Sequence, residues 1–361
     1  MKSFIIFSCY FFWVALLFVH CRKGPTSPEL DSYMWNVSKP EEQGMDSGMI
    51  HAAFAEAENR GFVDGIVIIK NGCLIAETYC NGFTQNTAHN VMSVSKSFLS
   101  ALTGIALRER CLDSLNQKMI PFFPEYVYPS MDPRKYAITI RHLLMMRAGI
   151  DQEQNNYFQI YNSPNWIKAT IELPLLHDPG ARMLYNTFQT HLLSAILTKA
   201  GRMSTLEFAR RFLFDPLGIS VRRWEQDPQG YYFGGNSMHF TPRDMARFGF
   251  LYLRNGAVDG RRIIPEEWVK ESLSEFTGYK NLVWGDLKNY NYGYLWWMGE
   301  INGYKATLAI GHGGQFIILF PQLDMILATT SNNNVDWDTA DLQERSVLDL
   351  VARFILPALK K

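Results

Sequence analysis

The dipeptide Asn71-Gly72 joins two β-rich runs, GIVIIK and CLIAETY, and this commits the start of the folded chain to an antiparallel hairpin. Just upstream, MDSGMIHAAFAEAENR spaces Met45, Met49, Ala53 and Ala57 four apart, with Ile50 and Phe54 on the adjoining stripe. That periodicity predicts a helix opened near Asp46 and closed by Gly61. β character returns after Asn289, where YGYLWWMG, YKATLAIG, FIILFP and MILATTS follow one another, separated by Gly, Pro and Asp. A last helix is expected from Asp338 to Leu356, with Leu348, Val351, Ala352 and Ile355 on one face and Pro357 as its stop.

The stretch between these ends reads as helical. VMSVSKSFLSALTGIALRER is strongly apolar, and ITIRHLLMMRAGI predicts a helix from near Thr139 to Gly149. SPNWIKATIEL, LYNTFQTHLLSAILTKAGR (closed by Gly201) and STLEFARRFLFDPLGI add three more. TPRDMARFGFLYLRNG adds another, with Thr241 as cap and Pro242 just inside. β runs at both ends of a helical middle predict an α+β fold. One antiparallel sheet combines the N- and C-terminal strands, the first and last helices flank it, and a mostly helical second lobe leaves a cleft between the lobes.

The chain has 361 residues, 47% of them hydrophobic, enough for a large core. Its 35 basic and 35 acidic residues cancel, so no basic surface argues for nucleic acid as partner. The N-terminus differs from the rest. After Met1-Lys2 comes the apolar run FIIFSCYFFWVALLFV and then His20-Cys21-Arg22-Lys23. A run this short with a polar stop reads as an export signal over residues 1–21, with an uncleaved membrane anchor as the alternative. Residues 22–39 read as a linker and 40–361 as the folded domain. Cys21 stands where a lipoprotein signal places its acylated cysteine, although His20 is not the small residue expected before it. Each of these readings places the domain outside the cytoplasm, in a bacterial periplasm or anchored to a membrane. Cys73 and Cys80 bracket one strand, too far apart to bridge directly, and with Cys111 they read as buried thiols. No cysteine spacing suggests zinc, and no cofactor is implied.

Three short elements carry chemistry. In Ser93-Val94-Ser95-Lys96, helical spacing puts Ser93 and Lys96 on one face. A serine hydroxyl needs a base to become a nucleophile, and a lysine serves only if burial or nearby charge lowers its pKa. Alone, the tetrapeptide reads more readily as Ser93 or Ser95 capping the helix with Lys96 facing water. Tyr185-Asn186-Thr187 opens the long middle helix, where a tyrosine can relay a proton or simply pack with its hydroxyl at the rim. Gly311-His312-Gly313-Gly314-Gln315 lies between two β runs, and glycines there mark close backbone approach or a plain hairpin turn. The N–H groups of Ser93 and Gln315 are candidates for an oxyanion hole, and His312 for a donor to substrate.

Together these elements resemble the signature of the serine β-lactamases, penicillin-binding DD-peptidases and related esterases. The likeness is nearest to the branch with class C β-lactamases, DD-peptidases and esterase or 6-aminohexanoate-hydrolase-like enzymes. Ser93 and Lys96 match its S-x-x-K box, Tyr185-Asn186-Thr187 its Y-x-N element, and His312-Gly313-Gly314 its K-T-G or H-x-G element. GIVIIKNG, ITIRHLLMMRAGI, YFGGNSMHFTPRDMARFGFLYLRNG and NYGYLWW extend the likeness from about residue 40 to near the C-terminus. The resemblance implies catalysis by Ser93, Lys96, Tyr185 and His312. It implies substrate or oxyanion contacts from Ser93, Gln315, Gly313, Gly314, Thr187 and Asn186. The reaction expected is attack by Ser93 on an ester or amide carbonyl through an acyl-enzyme, as in a carboxylesterase or amidase. A DD-peptidase acting on cell-wall peptide is the second reading and a weak β-lactamase the third, with a non-catalytic binding protein that keeps the fold as the alternative of another class. Thr187 in place of the family asparagine, and His312 in place of lysine, argue against efficient β-lactam hydrolysis.

Overall fold

The computed structural model describes residues 35–276 and 281–360. The expected export signal, most of the expected linker and Cys21 therefore lie outside the described residues. Among the described residues no helix is long and apolar enough to cross a membrane.

A short strand, β1 (Asn36–Val37), precedes helix α1 (Ser47–Arg60). Asp46 caps α1 by accepting the Met49 N–H at 2.9 Å, and Gly61 ends it at φ 75°. Asn71 and Gly72 both take left-handed backbone, φ 51° and 77°, as a two-residue hairpin turn demands. They fold β2 (Val63–Lys70) onto β3 (Cys73–Tyr79). The helical middle contains α2 (Val94–Arg108), α3 (Thr187–Gly201) and α4 (Pro242–Leu253). Six strands follow: β4 (Val283–Trp284), β5 (Leu287–Tyr292), β6 (Trp297–Ile301), β7 (Tyr304–Gly311), β8 (Gln315–Phe320) and β9 (Met325–Ser331). Helix α5 (Trp337–Leu350) closes the fold and runs on as a π turn, Val351–Ile355, ahead of Pro357.

These nine strands join one sheet in the order β1-β3-β2-β9-β8-β7-β6-β5-β4. Every neighbouring pair is antiparallel except β1 with β3. The seam between the ends of the chain is β2 on β9, with Ile66 opposite Thr329 and Ile68 opposite Leu327. Strand alternation then sorts the side chains. Ile66, Ile68, Ile318 and Leu327 pack under Ile50, Ala53 and Ala57 of α1 and Val347 and Leu348 of α5. Val67, Ile69, Ile317, Leu319 and Ala328 face the other way, onto the core shared with α2, α3 and α4. The expected α+β layout, with one sheet built from both ends, holds.

Three details differ from the sequence reading. The helix expected from Thr139 to Gly149 is only Ile140–Leu144, because its next carbonyls are claimed from elsewhere: Leu144 O accepts the Leu295 N–H and Met146 O the Leu184 N–H. YGYLWWMG is not one strand. Gly293 to Trp296 leaves the sheet to pack into the helical lobe, and a Cβ on Gly293 would stand 2.3 Å from Ser272 O. Cys73, Cys80 and Cys111 are free thiols, half-buried rather than buried, since two of them sit at the ends of β3 instead of inside it.

Candidate active site

Ser93 stands at the start of α2, directly after Met92, which is held in left-handed backbone at φ 50° with its N–H on Asn90 Oδ1. The Ser93 side chain makes no capping hydrogen bond, and Lys96, one turn on, is only 1% exposed. The reading of this tetrapeptide as a capped helix with a solvated lysine is thereby excluded. Lys96 Nζ instead lies 2.7 Å from Ser93 Oγ, 2.9 Å from Thr187 Oγ1 and 2.8 Å from Gly235 O. Gly235 O can only accept, and Thr187 Oγ1 is placed to accept as well. A neutral amine has two protons for these and one lone pair left for the Ser93 hydroxyl. Burial pushes the Lys96 amine down to about 8, against an opposing pull from the Glu153 carboxylate.

The second element arrives on the N-terminus of α3. The Tyr185 phenol interacts with the Ser93 side chain, and its ring centre lies 4.9 Å from Lys96 Nζ. Burial, with smaller contributions from Glu153 and Glu344, holds its phenol well above the usual tyrosine range. Thr187, the residue where the family places asparagine, hydrogen-bonds the lysine. Asn186 does not reach the site. It caps α3, its Oδ1 accepting the Phe188 N–H at 2.8 Å while its Nδ2 donates to Asp151 O and Asn156 Oδ1. A helix needs a cap at this position, and the cap uses the whole side chain.

The third element is corrected by strand register. Gly311 ends β7 opposite Gln315, and its carbonyl accepts the Gly314 N–H at 3.2 Å across the turn. The carbonyl of Gly311 therefore faces β8, and by alternation the polar groups of Ile310 face the other edge of β7, with His312 the first residue of the turn that follows. On that edge the pairing with β6 stops at Leu308–Trp297, so the end of β7 that leads into His312 is an open edge. Gly311, not Gly313 or Gly314, makes the close approach to the nucleophile turn: a Cβ there would sit 2.4 Å from Val91 O. Gly313 lies against Asn332 and Asn333, and its N–H donates to Glu344 Oε1 at 3.0 Å. Gln315 is fully buried, its amide paired with the Ser331 backbone at 2.7 and 3.2 Å. The His312 ring turns toward the segment entering α5, with Nε2 2.9 Å from Val335 O and an edge contact to Trp337 at 5.0 Å.

Sequence reasoning missed Gly235, Gly311 and Glu153. Gly235 lies so close to α3 that a Cβ would meet Thr190 Oγ1 at 2.4 Å, and this lets its carbonyl reach Lys96. The Gly234-Gly235 pair was a visible signal without a visible partner. Glu153 is 4% exposed and accepts the Thr187 N–H at 2.8 Å. One wall of the cleft is aromatic. The Trp297 ring stacks on Tyr185 at 6.1 Å and touches Tyr290 at 6.0 Å, while Tyr292, Tyr294 and Trp296 are buried in the core.

Known proteins share this fold. The chain is 24% identical over 299 residues to the 6-aminohexanoate-dimer hydrolase of Paenarthrobacter ureafaciens, covering 74% of this chain and 72% of that one. Its fold is similar to the octameric penicillin-binding protein homologue from Pyrococcus abyssi, with TM-score 0.67, 19% identity, and 87% and 78% of the two chains covered. It is similar also to EstCE1, a hydrolase with promiscuous acyltransferase activity, with TM-score 0.66, 16% identity, and 86% and 98% covered. The profile of the beta-lactamase family matches residues 42–352, almost the whole folded region, and the chain belongs to that family of serine hydrolases.

Proposed function

We propose that this protein hydrolyses an ester or amide through an acyl-enzyme on Ser93, as a carboxylesterase or amidase acting on small molecules. The observation that carries the reading is the 2.7 Å contact between Ser93 Oγ and a Lys96 amine buried to 1% exposure. Lys96 in its neutral form takes the Ser93 proton as Oγ attacks the carbonyl carbon. The oxyanion is stabilised by the N–H groups of Ser93 and His312, the latter replacing Gln315 in this role because it follows the open edge of β7. Tyr185, beside Ser93 and Lys96, passes its proton to the departing alcohol or amine and is reprotonated from Lys96, which held the proton taken from Ser93. Water then adds to the acyl carbon, its proton returns through the same pair, and the acid leaves with Ser93 restored.

Two features favour neutral esters and amides over β-lactams or D-Ala-D-Ala peptides, which carry a carboxylate. The turn that bears lysine in β-lactamases bears His312 here, and its ring is engaged with Val335 and Trp337. The ionisable group bonded to that turn is the Glu344 carboxyl, pushed up to about 8 by burial, which supplies no positive charge. The aromatic wall of Tyr185, Tyr290 and Trp297 suits an apolar acyl group.

The test is incubation of purified protein with a fluorophosphonate, p-nitrophenyl acetate and butyrate, nitrocefin and a D-Ala-D-Ala peptide, followed by intact mass. Expected are one phosphonyl adduct on Ser93 and turnover dominated by the esters. Turnover mainly of the peptide would make it a cell-wall peptidase. A folded protein giving neither adduct nor turnover would leave a binding protein as the better description.

Gly311→Ala tests the strand's part. The added methyl cannot fit 2.4 Å from Val91 O, so β7 must move away from the Ser93 turn. A misplacement of this order is expected to lower ester turnover about a hundredfold. A steady-state assay beside a thermal melt measures it, and near-wild-type turnover would place the oxyanion donors elsewhere.

A further inference from the structure

Glu153 belongs to no signature element, yet it is 4% exposed and lies between the two segments that form the site. An ionised carboxylate in that position is costly unless other groups answer its charge. Its partners are specific. Glu153 Oε2 accepts the Thr187 N–H at 2.8 Å, and the Glu153 N–H donates to Tyr185 O at 3.0 Å. One residue thus holds the backbone on both sides of Asn186, fixing the segment that presents Tyr185 to Ser93 and Thr187 to Lys96.

Charge runs through the same residue. Among the described residues Lys96, Tyr185, Tyr157 and Tyr292 feel the Glu153 charge, and of these Lys96 is a cation. The other groups against Lys96 are the Ser93 and Thr187 hydroxyls and the Gly235 carbonyl, which do not titrate in the working range. Glu344 also acts on Tyr185, in the same direction as Glu153.

We propose that Glu153 is a positioning residue for the Ser93–Lys96 pair, its carboxylate fixing the Tyr185–Thr187 segment and setting the pH at which Ser93 is activated. The inference rests on the Ser93 mechanism above and deepens it. Burial drives Lys96 toward the neutral, proton-accepting form, and Glu153 restrains it. The same carboxylate also raises Tyr185, so its removal has one sign whichever of the two accepts the Ser93 proton.

The readout is the rate of fluorophosphonate labelling of Ser93 against pH, which reports activation of the hydroxyl without a known substrate. Glu153→Gln keeps an oxygen for the Thr187 N–H and removes only the charge. Its acidic limb is expected to move to lower pH by about one unit, a group losing an opposite charge nearby. Labelling well below the wild-type midpoint then becomes faster than wild type, which a merely structural lesion would not produce. Glu153→Asp, with its charge drawn back, is expected to move the limb the same way but less, and it serves alone if Glu153→Gln does not fold. An unmoved or raised limb in a folded variant, with wild type still labelled on Ser93, overturns this inference alone. Failure of wild type to label at Ser93 overturns the mechanism beneath it.

Discussion

Ser93→Ala is expected to abolish fluorophosphonate labelling and to lower ester turnover by a thousandfold or more, roughly the cost of removing a nucleophile that works as a unit with its base. Its melting temperature should stay near wild type. The Ser93 hydroxyl caps no helix N–H, and its contacts are Lys96 and Tyr185, which keep other neighbours. A variant that melts like wild type and has lost labelling assigns the loss to chemistry. Full turnover in Ser93→Ala would move the nucleophile to another residue.

Lys96→Met carries the second large effect and separates rate from stability. The base is expected to contribute about a hundred- to ten-thousandfold in kcat/KM, lost with the amine. Stability responds to pH instead. Because burial holds the folded-state pKa near 8, below the ordinary 10.5, the unfolded chain binds a proton between those values that the folded chain has released. Wild-type stability therefore rises with pH across that window, and the penalty of the buried ammonium is fully present below pH 8. Methionine has no such penalty but leaves Thr187 Oγ1 and Gly235 O without their donor, at about 1–3 kcal/mol for each buried group. The difference between Lys96→Met and wild type is expected to shift in favour of the variant as pH falls from 10 to 7. Melting curves at several pH values measure this shift. A difference independent of pH would mean that the lysine is not the titrating group. For the same reason wild-type turnover should climb with pH through about 8.

The parts of this site that sequence could reveal are those written locally. Ser93 and Lys96 are one helical turn apart, and Asn71-Gly72 sits between two β runs, so each could be read without knowing its surroundings. The turn after β7 was harder. Gly311, Gly313 and Gly314 lie within four residues, and only the pairing of Gly311 with Gln315 decides which one meets Val91 and which N–H faces the cleft. Asn186 was misread as a substrate contact because a helix cap and a binding amide look alike in sequence. Glu153 carried no local signal. Its partners lie 32 and 34 positions away, on a segment whose placement depends on α3 docking against α2. Gly235 reaches Lys96 from still further along the chain.

The seam between β2 and β9 has a consequence for when this catalyst can exist. β2 precedes the nucleophile in the chain, but its partner strand is not synthesised until Met325–Ser331. The open strand edge beside Ser93 also arrives late, with Gly311 and His312. A growing chain thus carries Ser93 and Lys96 for more than two hundred residues before the sheet that completes their surroundings can zip shut, a closure of high contact order and correspondingly slow. Ser93 and Lys96 are thus near neighbours from the start, but the surroundings that complete their arrangement belong to the finished sheet.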